Sequence, residues 1–389
     1  MGSLSKLINK LNKHFLGYTI FDIPRDKQKL FISSFPEPGD DIERSYFQFC
    51  CQRFYQGRLK FMLFNLISIP LYWGLRCILF FRQATGKKAG NGKIALLVQE
   101  PLGLSIVPDE LKQYYDKIIE ITNFQYFFRL SDKGIMVMRE IRKRYFFEFY
   151  FSLKIMLKMI YYDNLIAEYS PEAIISTSES SFTSSALTYY CQQCGLQHIN
   201  AMHGEKFYYI GDSFFHFSKS YVWSEFHRDL LLSLRAESTQ FAISTPKSLH
   251  FTSKDIEVVY DLKYYLTNES PEEMKIISDV MKKLQKCKNW KVAVRPHPRY
   301  TPPQYLSTFL AGLETEPASV PIEVSLLQTK AAASLISTVL TQAHYNNIKI
   351  VFDDISNPQK FKQFKDLQSV LFSAEYSLLS EILQDCREI

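Results

Sequence analysis

Two successive series of short apolar segments, each alternating with a helix signal, constrain this chain more than any other feature. In the first series, 94–98, 117–121, 173–176, 198–202 and 221–224 read as strands, and 108–115, 135–169, 182–194 and 225–234 read as helices. In the second, 256–260, 290–295, 333–336 and 349–352 read as strands, separated by helices over 271–287, 303–313, 339–346, 359–368 and 376–386. The helix at 271 carries its own start signal: Ser270 as N-cap, Pro271 at the first position and Glu273 to close a capping box. Apolar strands alternating with helices imply parallel sheets covered on both faces. The expectation is an α/β chain of two Rossmann-like domains, 93–235 and 236–389, facing across a cleft and preceded by a separate region over 1–92. Ligands of such sheets bind outside the carboxyl ends of the strands.

Composition excludes several alternatives. A chain of 389 residues that is 46% hydrophobic and 22% charged is neither a disordered segment nor a disulfide-built miniprotein. The net charge of +6 is unevenly placed, with +8 over residues 1–92 and −2 over the remainder. A basic segment attracts nucleic acid or anionic lipid, and its neighbours decide which. Seven cysteines without even spacing predict reduced thiols. Cys191 and Cys194 form a CxxC, but no second CxxC or spaced His pair accompanies it, so a zinc site is not expected.

In that basic quarter, Leu4, Leu7, Ile8, Leu11 and Phe15 fall at helical spacing among Lys6, Lys10 and Lys13, the pattern of a short surface-lying helix. The run 61–81, FMLFNLISIPLYWGLRCILFF, is long enough to cross a bilayer. Asn65, Pro70 and Arg76 interrupt it, and Arg58, Lys60, Arg82, Lys87 and Lys88 flank it. It suits an embedded helix or a re-entrant hairpin broken at Pro70, a single span, or a core helix of the soluble domain. The flanking charge favours contact with an anionic leaflet. Basic residues around an apolar run, rather than along a polar face, disfavour nucleic acid. The stretch 84–93 reads as a linker.

No GxGxxG, P-loop, HExxH or GxSxG motif is present, which removes the common dinucleotide, P-loop, zincin and serine-hydrolase classes. Asp353-Asp354 and Asp40-Asp41 are the nearest approaches to an acidic metal run, the second in a loop. Three clusters follow expected strands. His203-Gly204-Glu205 offers an acid/base imidazole with a neighbouring carboxylate, or a hydrogen-bonded loop. Arg295-Pro296-His297-Pro298 holds a guanidinium and an imidazole on a stiff turn, which suits a phosphate leaving group, or is simply a rigid turn. Ser337-Thr338 caps a helix whose N-terminus also suits phosphate. In the first domain, Glu179 within Ser176–Ser181 suits a catalytic base or a first-turn helix residue.

The order of an HG pair, a strand ending in YVWSE, RPHP and then a Ser/Thr pair resembles bacterial cell-surface polysaccharide glycosyltransferases of the GT-B fold. It is most similar to those using CMP- or CDP-linked donors: capsule Kdo transferases, sialyltransferases and teichoic-acid glycerophosphotransferases. Residues 170–355 carry the resemblance. It implies that Arg295, His297, Ser337 and Thr338 bind the donor phosphate and that His203 lies in the cleft. The acidic-acidic-Gly motif that carries the sialyltransferase base is absent, so Glu179, Glu205 or His203 would replace it. The expectation is a metal- and cofactor-independent transferase moving a sugar from a nucleotide-sugar donor, CMP-linked rather than UDP-linked, to a lipid-linked or polysaccharide acceptor in capsule, O-antigen or exopolysaccharide synthesis. It would sit on the cytoplasmic face of the inner membrane, peripheral or monotopic, without nucleic-acid partners. The alternative is a non-catalytic scaffold of the same fold in a polysaccharide assembly complex.

Overall fold

The computed structural model describes residues 17–80, 92–98, 103–122, 128–252, 256–384 and 386. The surface-lying helix expected over 4–15 and most of the linker over 84–93 lie outside them. The chain divides into two compact units, Met1–His203 with Tyr208–Pro246, and Gly204–Phe207 with Lys247–Ile389.

The first unit is built on six strands: β1 (Ile94–Val98), β2 (Lys117–Ile121), β3 (Ala173–Ser176), β4 (Gln197–Ala201), β5 (Lys219–Val222) and β6 (Phe241–Ile243). Their order is β2-β1-β3-β4-β5-β6 and every pairing is parallel. All four residues of β3 are buried, as expected for a strand covered on both faces. The long helical stretch over 135–169 resolves into two helices, Asp132–Arg144 and Phe149–Tyr169. Strand β6 had no separate signal in the sequence because it is only three residues long.

The described part of the N-terminal quarter, residues 17–80, belongs to the first unit rather than to a separate region. Asp40 caps the helix Asp41–Gln56, accepting from the Glu43 amide at 2.9 Å, so the acidic pair is a helix start and not a metal loop. This helix is held in the first unit by buried polar side chains. Ser45 accepts from the Ala186 amide at 2.7 Å, and the Gln48 amide donates to the carbonyls of Glu179 and Gly211, each at 2.7 Å. These contacts fix its position against the helix Ser184–Gln193 and the turn Ile210–Asp212.

The apolar run forms one continuous helix, Arg58–Phe80, that passes through Pro70, so no hairpin breaks there. One face, Phe61, Ser68, Tyr72, Leu75 and Leu79, is buried. These positions repeat at helical spacing, and the helix packs along Phe149–Tyr169. Asn65 is explained by this docking: its amide donates to the Phe147 carbonyl at 2.8 Å and accepts from the Tyr150 amide at 2.9 Å. The other faces leave Met62, Leu63, Leu66, Ile67, Leu71, Trp73 and Phe80 exposed. It is therefore neither a core helix nor a freestanding span.

The second unit contains β7 (Leu262–Tyr265), β8 (Val292–Arg295), β9 (Glu314–Thr315), β10 (Ala331–Ser334), β11 (Lys349–Phe352) and β12 (Tyr376–Leu378). Their order is β12-β11-β10-β7-β8-β9, again all parallel. Counted within the unit this is 3-2-1-4-5-6, the doubly wound order, with its reversal between β7 and β10. The strand expected over 256–260 is displaced: only an isolated bridge joins Tyr260 to Thr329, and the true strand begins at Leu262. The final helix is shorter than expected, since β12 occupies its first turn. The expectation of reduced thiols throughout also fails at one pair. Cys287 and Cys386 are disulfide-bonded, with Cα atoms 5.8 Å apart across a separation of 99 residues that spacing arguments do not reach.

His198 lies fully buried at the centre of the first sheet. Its Nδ1 is 2.8 Å from the Thr188 hydroxyl and its Nε2 is 3.1 Å from the Tyr162 hydroxyl. Burial, with the charge of His216 adding to it, pushes its pKa down to about 3. An unfolded His titrates near ~6.5, so below that pH the unfolded chain binds one more proton than the folded one. Stability from this site is complete above that pH and falls toward pH 3 by about 1.4 kcal/mol per unit. Urea midpoints taken from pH 7 to pH 4 will fall in the wild type and respond less steeply in His198→Gln.

Candidate functional site

In the second unit, an open cavity of about 650 Å³ lies where β7, β8 and β10 end. This is the reversal point of the sheet, where parallel topology leaves a crevice between loops that depart in opposite directions. Tyr265 to Asn268 line it after β7, Arg295 to Pro298 after β8, and Ile336 to Val339 after β10. Phe207, Phe364 and Leu371 supply apolar wall. Four residues named from sequence as donor ligands, Arg295, His297, Ser337 and Thr338, thus meet at one cavity.

Their roles differ. The His297 amide donates to Thr301 Oγ1 at 2.9 Å, and its Nδ1 accepts from the Arg299 amide at 3.0 Å. An Nδ1 that accepts leaves the ring proton on Nε2. Burial, and then the nearby Arg299 charge, lower the imidazole pKa, so the neutral form holds at neutral pH. The ring stacks on Tyr300 at 4.5 Å between centroids, which fixes its plane. His297 is therefore an oriented neutral N–H donor rather than a cation.

Ser337 is the N-cap of the helix Thr338–Tyr345, its hydroxyl accepting from the Val339 amide at 3.2 Å. The capping reading is met, and it is compatible with the other, since the same helix N-terminus lines the cavity.

Arg295 departs from its expected role. Its Nη1 donates to Glu316 at 2.7 Å, and its Nη2 donates to the carbonyls of Val320 and Ala318 at 2.6 and 3.2 Å. Glu316 also accepts from Lys263 Nζ at 2.7 Å and from the Ser325 hydroxyl. Lys263 has no solvent exposure on its side chain. Burial would raise the Glu316 carboxyl, but hydrogen bonds from Lys263, Ser325 and Arg295 outweigh it and hold it below the usual range. Two basic side chains share this one carboxylate in the wall behind the cavity, and burial pulls the Lys263 pKa down despite its bond to Glu316. Arg295 is thus committed to this cluster and presents no free fork to the cavity. Sequence reasoning missed Glu316 and Lys263. A lysine inside a buried strand was the available signal, since it demands a partner; the partner's identity was not readable.

The candidate bases separate. Glu205 lines the cavity, but its carboxylate accepts from the Ser369 hydroxyl at 3.1 Å and the Val370 amide at 3.2 Å, a cap on the turn at Val370–Phe372. It serves the fold at that point. In the first unit, Glu179 is 1% exposed and its Oε1 lies 3.9 Å from Nδ1 of His203, whose side chain is 40% exposed. A buried carboxylate thus stands behind an accessible imidazole.

Among the described residues no group of three or more His, Cys, Asp and Glu side chains gathers as a metal site. Asp353 accepts from the Tyr264 hydroxyl at 2.6 Å and from the Ile355 and Ser356 amides at 2.9 Å each. Cys191 is buried, and burial raises its thiol pKa well above the ordinary value, unlike a reactive or metal-bound thiolate.

No protein-family model matches the sequence, and no curated protein matches it. Among solved structures, a UDP-GlcNAc 2-epimerase from Methanocaldococcus jannaschii aligns with TM-score 0.44 and 11% identity over 76% of this chain and 92% of that chain. The Neisseria meningitidis enzyme bound to UDP-GlcNAc aligns with TM-score 0.43 and 10% identity, over 76% and 90%. Anabaena Alr3699/HepE in complex with UDP aligns with TM-score 0.44 and 10% identity, over 76% and 90%. At this distance the likenesses carry no argument about chemistry, and their bound nucleotides are a property of those proteins.

The buried triad has a measurable consequence. Glu316→Gln removes the one carboxylate facing two cations and leaves them uncompensated. Breaking a buried pair in this way costs about 3–5 kcal/mol, so the urea midpoint of the second unit will fall sharply. An unchanged midpoint would show that Lys263 is neutral and the triad weak.

Proposed function

We propose that this chain is a nucleotide-sugar-dependent glycosyltransferase of the GT-B class. One observation carries the reading: His297, the Ser337-Thr338 helix N-terminus and the charged wall behind Arg295 meet in one cavity at the sheet's reversal point. These groups suit a nucleotide diphosphate or monophosphate leaving group. An N–H donor, helix amides and the Arg295 guanidinium would stabilise charge that grows as the glycosidic bond to phosphate breaks. The apolar wall of Phe207, Phe364 and Leu371 suits a base or ribose face. His203, backed by Glu179, is the proposed base that takes the proton from the acceptor hydroxyl. A CMP-linked donor is favoured by the motif resemblance and a UDP-linked one is the other candidate.

The acceptor is proposed to be lipid-linked, on the cytoplasmic face of the inner membrane. Support comes from the Arg58–Phe80 helix. By length and composition it is long and apolar enough to cross a membrane, and most of its apolar length is not buried against the protein. One face is fastened to the first unit, and this supports an in-plane, monotopic placement in which the exposed Met62, Leu66, Ile67, Leu71 and Trp73 would enter the acyl boundary. A second reading, a non-catalytic scaffold, is favoured by the structural commitments of Arg295 and Glu205.

A nucleotide panel of CMP, CDP, UMP, UDP, GDP and ADP, read by thermal shift on the full chain in detergent, separates the two. A ligand at 100 times its dissociation constant adds about 2.7 kcal/mol of stability. A shift with one nucleotide, weakened about three- to tenfold in affinity by His297→Ala, supports the transferase. With the donor so named, His203→Ala will lower turnover by about 10²–10⁴-fold. No shift with any nucleotide leaves the scaffold.

Membrane docking is tested by flotation with anionic vesicles. Leu66→Glu with Ile67→Glu removes two apolar contacts worth about 1.5–3 kcal/mol each and will release the protein. Equal flotation of the double variant rejects the in-plane helix.

A further inference from the structure

Beside the exposed helix, the first unit contains a second open cavity of about 650 Å³ that the proposed chemistry does not use. Its walls are aromatic, formed by Phe31, Phe35, Phe49, Phe54 and Phe61. Phe31 and Phe54 stack at 4.2 Å between centroids, which gives the cavity a rigid apolar side. At its edge stand Arg53, Arg58 and Glu148, with Met62 and Phe147. Met62 is 58% exposed and Phe147 is 79% exposed, so the mouth is continuous with the apolar face of the Arg58–Phe80 helix.

The charges at the mouth are unequal. Arg53 is matched, its Nη1 lying 3.0 Å from Glu148 Oε1, which also accepts from Tyr46 at 3.3 Å. Arg58 is exposed and has no acidic partner among the described residues. Lys60 follows two residues on, its Nζ 5.8 Å from the Phe64 ring centroid. The rim therefore carries a net positive charge above an aromatic groove.

We propose that this groove binds a phosphate-bearing lipid, taking an acyl or isoprenoid chain against the phenylalanines while Arg58 pairs with the phosphate. An aromatic slot alone would take any apolar chain. The Arg58 guanidinium at its mouth, unmatched among the described residues, is what selects an anionic headgroup, since charge-assisted N–H to phosphate bonds are the strong ones. The adjoining helix face places the mouth at the level of lipid headgroups, where such chains are available. The inference rests on the in-plane docking of that helix. It gives the proposed lipid acceptor, or a lipid that anchors the enzyme, a defined seat on the first unit.

The experiment uses the full chain in phosphatidylcholine nanodiscs and measures binding of a polyisoprenyl phosphate, phosphatidylglycerol, the uncharged polyisoprenol and inorganic phosphate. Either phosphate lipid is expected to bind at least about tenfold tighter than the alcohol, and Arg58→Glu to abolish that preference. Phe147→Trp, which fills the mouth from an exposed position outside the membrane-facing helix, will weaken both lipids without releasing the protein from vesicles. The tighter of the two lipids names the source of the ligand.

Equal binding of the alcohol, or full competition by inorganic phosphate, overturns the proposal. So does unaltered binding in both variants, or a dimer by mass photometry that excludes lipid from the groove. The nucleotide thermal shift, measured on the same variants, reports on the second unit alone. Its loss with lipid binding intact would sink the transferase reading and leave the lipid site standing.

Discussion

Every strand pairing in both sheets is parallel, and most of what matters in this molecule follows from that constraint. Parallel neighbours cannot be joined by a tight turn, so each strand is followed by a crossover that returns along one face. Within each unit the strand C-termini therefore share one edge, and residues far apart in sequence are delivered to it. In the second unit, Tyr265, Arg295 and the Ile336-Ser337-Thr338 segment arrive at that edge from β7, β8 and β10. The cavity sits where the order reverses, between β7 and β10. Glu179 and His203 arrive in the same way, shortly after the ends of β3 and β4 in the first unit.

Electrostatics then sets what the edge can do. A lysine buried in a central strand is costly unless it is matched, and Glu316 matches it while also holding Arg295. The triad turns a guanidinium that looked like a ligand into part of a fixed charged wall. Fixed charge of this kind needs no rearrangement when an anion develops beside it. His297 is prepared differently. A backbone amide decides its tautomer and an aromatic neighbour decides its plane.

The first unit solves another problem, which is how to carry a helix that is apolar on nearly all sides. Among the described residues its inner face is covered by Phe149–Tyr169 and, in part, by Asp41–Gln56, and Asn65 ties it to the first of these through backbone groups. Its exposed apolar residues and its firm attachment to the domain are the two features that the proposed in-plane docking brings together. The aromatic groove beside it extends the same apolar surface inward.

Much of this was legible in the sequence. Strand and helix alternation, the apolar character of the strands and the capping box at Ser270 are local patterns, and local patterns determine element type and parallel class. The motifs at 295–298 and 337–338 were legible because stiff turns and helix caps are encoded by neighbouring residues. Tertiary structure decided what depends on distant partners: that Arg295 faces Glu316, that Glu205 caps a turn at Val370, that Glu179 stands behind His203, and that Cys287 meets Cys386. It also decided that the Asp41–Gln56 helix belongs to the first core, because one buried glutamine finds two carbonyls there. Periodicity reports which face of an element is apolar, whereas the partner of a buried charge is set by three-dimensional proximity, which no spacing along the chain encodes.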